Sequence, residues 1–398
     1  MATFETSLKS RLIYVFAISD EWHKDCLKVG ETTLEEDDGN FPLPNSEVLN
    51  KAACDRIDQY TKTAGIAYTL LHTEMTVFFK GGTISSFNDK QVHSVLERSG
   101  VKKKTFDTVK GANEWFCCDL ETIKKAIHAV KNGQNSLNAS EISHTQTPII
   151  FRPEQQAAID KTKKQFKKGS QMLWNAKMRF GKTLCALRVA RDLDMRRTII
   201  LTHRPVVDEG WFEDFGKIFY DRTDYHYGSR TKGEDFDSLE RLAKKGGKYV
   251  YFASMQDMRG AQLVGGKFDK NNEVFSTEWD FLIVDEAHEG TRTELGEAVI
   301  KELTKVNTKV LKLSGTPFNL LDDYTEEETY TWDYTMEQRA KTEWDLLHMG
   351  DPNPYASLPA INIYTYDLGA LMNDYSEDEK AFNFREFFRT CLLYTSDA

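Results

Sequence analysis

Nowhere in this sequence does an apolar run approach the roughly 18 residues that a membrane-spanning helix requires. The first residues set Glu5, Lys9 and Arg11 among polar neighbours, which leaves no apolar signal-peptide core. A cytoplasmic protein with no membrane partner is the expectation. Cysteine is sparse: six residues, Cys26, Cys54, Cys117, Cys118, Cys185 and Cys391, with no Cys-x-x-Cys spacing. That pattern argues against zinc ribbons and disulfide frameworks and predicts reduced, mostly buried thiols. A basic excess is missing too, since the formal net charge is −10. This balance neither supports nor excludes a nucleic-acid partner, because large motors bind through local basic grooves. No internal repeat is visible.

What is present is a globular composition, 40% hydrophobic and 29% charged. Length suggests about two to three domains. Residues 131–148 are rich in Asn, Ser and Thr without an apolar period, and read as a join between two stretches of different character. The expected organisation is a small N-terminal α/β domain over 1–131, a linker over 132–148, a larger domain over 149–334, and an acidic, aromatic, irregular segment over 335–398. Upstream of the join, 11–18 and 66–79 read as strands, and 50–62, 88–98 and 119–131 as helices. Downstream, 172–174, 198–201, 249–253, 281–284 and 310–313 read as strands. The first four of these are almost wholly apolar, as strands covered on both faces of a parallel sheet should be. Helices at 182–193 and 291–304 fall between them. The alternation predicts an α/β fold with a doubly wound parallel sheet.

After the strand ending near 175 comes Ala176-Lys177-Met178-Arg179-Phe180-Gly181-Lys182-Thr183, followed by a helix. Backbone N–H groups of such a loop and the helix N-terminus make an anion pocket. Lys182 would reach the β- and γ-phosphates, Thr183 would offer its hydroxyl to Mg²⁺, and Gly181 lets the backbone come close. Ala176 and Arg179 stand where the strict pattern has glycine, and alone the motif also reads as an ordinary strand-to-helix turn. Further on, an apolar strand ends in Asp285-Glu286-Ala287-His288. There Asp285 is placed to hold Mg²⁺ and Glu286 to polarise an attacking water. Two adjacent acids without a cation would repel each other. The two motifs together point to ATP and Mg²⁺ as cofactors.

With these residues on view, 149–318 resembles the first RecA-like domain of a superfamily 2 helicase of the DEAD/DEAH-box kind, close to the motor subunits of type I and type III restriction enzymes. The resemblance implies an ATP-dependent translocase acting on DNA, with RNA left open and restriction-system subunits as partners. Phe151-Arg152-Pro153-Glu154-Gln155 resembles the adenine-reading segment, which makes Arg152 and Gln155 the implied base contacts. Arg204, in Leu201-Thr202-His203-Arg204-Pro205, and Ser254 and Gln256, in Ser254-Met255-Gln256, match the positions that touch the nucleic-acid backbone. His288, Ser314 and Thr316, the last two in Ser314-Gly315-Thr316-Pro317, match the network coupling hydrolysis to strand movement. On the residues alone, Gln155 also reads as a surface glutamine, Arg204 as an exposed arginine and His288 as a packed histidine. Such motors need a second RecA-like domain with an arginine finger, and no such domain fits in the remaining residues. The final Cys391–Ala398 also resembles translated adapter sequence. A truncated chain that binds ATP and turns it over poorly is therefore expected.

In the N-terminal stretch, Ile13-Tyr14-Val15, Leu27-Lys28-Val29-Gly30, Arg56, Asp89-Lys90-Gln91-Val92-His93 and Asn113-Glu114-Trp115-Phe116 follow in order. This set resembles GIY-YIG endonucleases, in the branch whose second motif reads Lys-Ile-Gly and which closes with Glu-Trp-Phe. The resemblance implies that Tyr14 positions or deprotonates a water, Arg56 meets the scissile phosphate and Asp89 ligates a metal. Asp89 stands where glutamate is usual, and an acidic insertion around 35–38 lengthens the path from Gly30 to Arg56. Taken singly, Tyr14 reads as a strand tyrosine, Arg56 as a helix-surface charge, Asp89 as a helix N-cap, and Trp115-Phe116 as core. An active nuclease and a DNA-binding relic are the two readings of this stretch. A non-motor P-loop switch is the other reading of the phosphate motifs.

Overall fold

The computed structural model describes residues 10–34, 41–106, 114–142, 149–203, 205–288, 293–316, 320–348 and 351–358. The chain divides into one unit over 1–343 and a second over 344–398. The first unit holds all the strands found among the described residues.

Its N-terminal part contains β1 (Arg11–Ile18), β2 (Leu27–Thr33), α1 (Glu47–Thr61), β3 (Tyr68–Met75), β4 (Val77–Lys80), β5 (Thr83–Ser86), α2 (Asp89–Arg98), β6 (Trp115–Phe116) and α3 (Leu120–Asn132). The sheet order is β3-β1-β2-β6, all antiparallel, while β4 and β5 form a separate hairpin. Central β1 is apolar enough to be covered on both faces. Ile13 and Val15 pack with α2 and α3, while Leu12, Tyr14 and Phe16 pack against Leu49, Ala53 and Ile57 of α1. Local chemistry sets the helix starts. Asn88 and Gln91 form a capping box on α2, and Asp119 accepts from Thr122 N (2.7 Å) to open α3.

The larger part contains α4 (Pro153–Gln165), β7 (Gln171–Ala176), α5 (Lys182–Asp192), β8 (Arg197–Thr202), α6 (Asp208–Phe219), β9 (Tyr225–Gly228), α7 (Phe236–Lys244), β10 (Lys248–Ser254), α8 (Met255–Met258), α9 (Asn272–Ser276), β11 (Phe281–Val284), α10 (Glu294–Leu303), β12 (Lys309–Ser314), β13 (Thr329–Trp332) and α11 (Tyr334–Leu347). Seven strands form one parallel sheet in the order β13-β7-β12-β11-β8-β10-β9. Ile200, Phe252, Ile283 and Leu311 point to one core with Phe215 of α6, and Ile199, Leu201, Tyr251 and Leu282 to another with Leu239 of α7. Helices thus cover both faces, and the fold is the expected α/β, doubly wound and RecA-like, with a smaller antiparallel sheet before it.

Several expectations need correction. The strand expected over 66–79 breaks at Thr76, which leaves the β1 edge to start the hairpin; its N–H donates to Arg11 O (2.9 Å). Asn88 rather than Asp89 is the N-cap of α2. Helices α4, α6 and α7 and strand β13 were not read from the sequence, and the segment said to be irregular opens as α11. The polar stretch after α3 is not a bare tether. Leu137 is buried against the first sheet's core, and the N–H groups of Asn135 and Ser136 donate to the buried Glu234 carboxylate at 3.0–3.1 Å. Arg98, at the end of α2, donates to the carbonyls of Ser229, Arg230, Lys232 and Gly233 at 2.6–3.4 Å. The smaller sheet is therefore docked on the larger through a guanidinium seated in one loop. No helix among the described residues is long and apolar enough to cross a membrane.

Candidate functional site

In a doubly wound sheet the carboxyl ends of the strands share one rim, and residues just past them converge whatever their spacing in sequence. On that rim β12 lies between β7 and β11. The loop after β7 turns through left-handed backbone at Arg179 (φ 63°) and Gly181 (φ 90°) before α5. A Cβ on Gly181 would come within 2.7 Å of the Gln155 side-chain end, Nε2, and the left-handed φ is what calls for glycine there. Lys182 Nζ donates to Ala176 O at 2.9 Å, curled back under its own loop. Burial lowers the Lys182 pKa, and the charges of Glu286 and Asp285 oppose that shift. Thr183 follows, half-buried.

The implied adenine residues are tied to this loop. Gln155 Nε2 and Arg152 Nη2 both donate to the carbonyl of buried Phe180, at 2.6 and 3.0 Å. The Arg152 N–H in turn donates to Gln155 Oε1 at 2.8 Å. Met178 is exposed, whereas Lys177 Nζ reaches the buried Glu337 of α11 at 2.5 Å.

After β11, Asp285 accepts from Trp211 Nε1 at 3.3 Å. Burial raises its pKa, neighbouring Glu286 adds to the rise, and Lys182 opposes it. Glu286 adopts a left-handed φ of 48°, uncommon for a residue with a Cβ, which turns the chain sharply after the strand. The next residue returns to the sheet as Ala287 N donates to Leu313 O at 2.9 Å. His288 Nδ1 then lies 2.9 Å from Ser314 Oγ and 3.5 Å from Glu286 Oε2. Ser314 Oγ also accepts from Thr316 N at 3.1 Å. Gly315 sits under Lys182, whose Nζ would stand 3.8 Å from a Cβ placed there. The structure thus brings Lys182, Asp285, Glu286, His288 and Ser314 to one place. Two acids beside a buried ammonium, under a loop whose glycine closes a cradle, fit a Mg²⁺–nucleotide pair.

The implied nucleic-acid residues are less convergent. Ser254 Oγ is engaged as the N-cap of α8, accepting from Asp257 N at 3.1 Å, and Gln256 is exposed. Arg204 lies outside the described residues.

The smaller sheet assembles a second cluster. Tyr14 on β1 faces Gly30 on β2, and a Cβ at Gly30 would lie 2.7 Å from Tyr14 Cζ and Oη. Glycine is what lets the phenol lie across β2. Tyr14 Oη stands 3.5 Å from Tyr60 Oη. Burial raises the Tyr14 pKa, while Tyr60 and the Arg56 guanidinium pull it back. Lys28 Nζ lies 4.6 Å from the centroid of the Tyr60 ring and 3.3 Å from Glu114 Oε2. Arg56 donates to Gln59 Oε1 at 2.7 Å beside an open groove that Arg11, Glu31 and Lys51 also line. Tyr60 was not singled out in the sequence, and Lys28 and Glu114 appeared there only as motif residues without a chemical role. The signal for Tyr60 was its place four residues after Arg56, on the same face of α1. Asp89 is the first residue of α2, and its N–H donates to Glu31 Oε2 at 3.3 Å. His93 is buried with Nε2 2.9 Å from Val29 O, and Trp115 and Phe116 are buried as core. Among the described residues no three His, Cys, Asp or Glu side chains are grouped to hold a metal. The fit of a cation to Asp89 is therefore incomplete.

Comparison with known proteins bears on the larger part. Residues 148–319 match the family described as "Type III restriction enzyme, res subunit". A curated Mycoplasma pneumoniae protein, the C-terminus of a "Putative type II restriction enzyme and methyltransferase", is 26% identical over 265 residues, 55% of this chain and 36% of that protein. Among solved structures, the Sulfolobus solfataricus SWI2/SNF2 ATPase core in complex with dsDNA is similar at TM-score 0.33 and 16% identity, over 46% of this chain and 37% of that one. The Type ISP restriction-modification enzyme LlaGI, a nuclease-deletion mutant with a DNA substrate mimic, gives 0.32 and 16%, over 51% and 23%. The chain spans about a third of the length of the curated relative it matches. Residues 148–319 are thus similar to the restriction-enzyme res-subunit family.

Proposed function

We propose that this chain binds ATP as the first lobe of a DNA-translocating motor of restriction type, and that the smaller sheet is a GIY-YIG phosphodiesterase acting with it. The observation that carries the motor reading is the meeting of Lys182, Asp285 and Glu286 on one rim, with the His288–Ser314 contact beside them. In this reading Lys182 exchanges the Ala176 carbonyl for β- and γ-phosphate oxygens. The N–H groups over Lys177–Thr183 hold the phosphates, and Arg152 and Gln155 hold the base edge. Thr183 and Asp285 would hold Mg²⁺, which would supply neutralisation of phosphate charge when bound. Glu286 accepts the proton of the attacking water, and its contact with His288 passes the change to Ser314 and Thr316. The nucleic-acid backbone contacts are assigned to Ser254 and Gln256, and to Arg204, by resemblance alone. The DEAH designation of residues 285–288 belongs to this proposal.

In the smaller sheet Tyr14 orients a water, with Tyr60 as its hydroxyl neighbour, while Arg56 and Lys28 offer positive charge to a scissile phosphate. No step is assigned to a cation held by Asp89. A second reading, a smaller sheet that only binds DNA, is favoured by the place of Asp89, first residue of α2 with its N–H on the Glu31 carboxylate.

Fluorescent ATP-analogue binding, lost on Lys182→Ala, is expected of this chain, with a low rate of ATP hydrolysis that DNA stimulates. A rate indifferent to both DNA and RNA would leave a nucleotide switch; stimulation by RNA alone would make RNA the track. Plasmid nicking lost in Arg56→Ala and Tyr14→Phe is the nuclease result. DNA binding without nicking under any divalent metal would select the second reading.

A further inference from the structure

The sequence predicts no disulfide, yet the antiparallel pairing of β2 with β6 brings two distant cysteines together. Leu27 pairs with Phe116 and Lys28 with Trp115, so the next position along the ladder sets Cys26 across from Cys117. Their Sγ atoms are 2.9 Å apart, within about 1 Å of the ~2.05 Å covalent bond. Both are free thiols, Cys26 buried and Cys117 exposed. We propose that Cys26 and Cys117 form a reversible disulfide, a redox-sensitive staple across β2 and β6.

Geometry and access set the order of steps. Cys117 is the thiol that an oxidant in solvent can reach. Burial and the adjacent Cys117 push the Cys26 thiol up to about 12, and burial also pushes Cys118 to about 12, so neither is the first to react. With a peroxide as oxidant, the Cys117 thiolate attacks one peroxide oxygen. The O–O bond breaks, hydroxide or alkoxide leaves, and Cys117 becomes a sulfenic acid. The Cys26 sulfur then attacks the Cys117 sulfur, its thiol proton leaves with the displaced hydroxyl as water, and the S–S bond forms. A thiol reductant returns both sulfurs to thiols by exchange, its own two thiols becoming the disulfide. The residues joined lie two positions from Lys28 and three from Glu114, so the staple closes the ladder that holds the Lys28–Glu114 ion pair.

The test treats the purified chain with hydrogen peroxide, blocks remaining thiols with N-ethylmaleimide and maps peptides without reduction. The expected result is one cross-linked pair containing Cys26 and Cys117, undone by dithiothreitol. It should be absent in Cys117→Ser and intact in Cys118→Ser. Because Cys117 is exposed, its serine variant tests the bond without opening the core. The oxidised wild type should also melt about 5–10 °C above the reduced form, a difference the Cys117→Ser variant lacks. A Cys117–Cys118 bond, over-oxidation of Cys117 with Cys26 left as thiol, or two unlinked thiols after peroxide would each overturn the proposal.

Discussion

The two sheets build their candidate sites by different means. In the parallel sheet, Ala176, Val284 and Ser314 end or nearly end strands β7, β11 and β12, and chemistry begins with the next residues. In the antiparallel sheet, Tyr14, Lys28 and Glu114 come from β1, β2 and the approach to β6, with Arg56 and Tyr60 from a helix lying across them. The first arrangement needs only short strand-turn-helix segments, each competent alone, and the sheet aligns their ends. The second needs register between strands up to about ninety residues apart and the correct rotation of α1. Motif residues therefore suffice for one site and describe only part of the other.

Four substitutions would break or sharpen that contrast. The largest effect is expected at Lys182. Lys182→Ala should weaken nucleotide binding about 100-fold or more in a fluorescence titration, since it removes the ammonium buried beside the phosphate pocket. Near-normal affinity would mean that the motif does not carry the parallel site by itself. Next is Gly30→Ala, which sets a methyl 2.7 Å from the Tyr14 ring. A loss of about 2–3 kcal/mol in denaturant unfolding is expected, together with loss of nicking while ATP binding stays intact. An unchanged midpoint would show that Tyr14 can move aside and that register matters less than argued.

Arg98→Ala comes third and tests whether the two sheets act as one body. Removing a guanidinium that donates to four carbonyls should cost about 2 kcal/mol and expose the loop at 229–233 to limited proteolysis. Equal protection in both proteins would remove the clamp from the account. The smallest effect on stability is at Asp285. Its folded pKa lies above the unfolded value near 3.8, through burial first and Glu286 second. A raised carboxyl gives its most favourable contribution below the unfolded pKa and loses it as pH climbs through the folded one. At neutral pH Asp285→Asn should therefore raise the melting temperature by about 2 °C while abolishing Mg²⁺-dependent hydrolysis. A lower melting temperature would mean that the carboxylate is held by more than Lys182 and Trp211. The same variant should show a flatter dependence of melting on acid pH than the parent chain.

Much of the larger sheet was legible because its strands are apolar on both faces and its loops carry Gly181-Lys182 and Asp285-Glu286. What escaped was amphipathic or short. Helix α4 begins at Pro153 with few apolar residues to mark its period, and β13 is a half-buried edge strand whose place depends on pairing with β7. In the smaller sheet, the capping pair Asn88–Gln91 was open to view but Asp89 was chosen, because the motif pointed there and the cap lay one residue earlier.

Composition and pattern by themselves determined the class of the larger sheet, the glycine turn after β7 and the acidic strand end, because each is set by consecutive residues obeying local sterics and burial. Tertiary structure alone decided that Tyr60 joins Tyr14, that Arg98 seats in the loop at 229–233, and that Cys26 meets Cys117. Those contacts depend on strand register and helix rotation, which the free energy of the whole core selects and no single segment encodes.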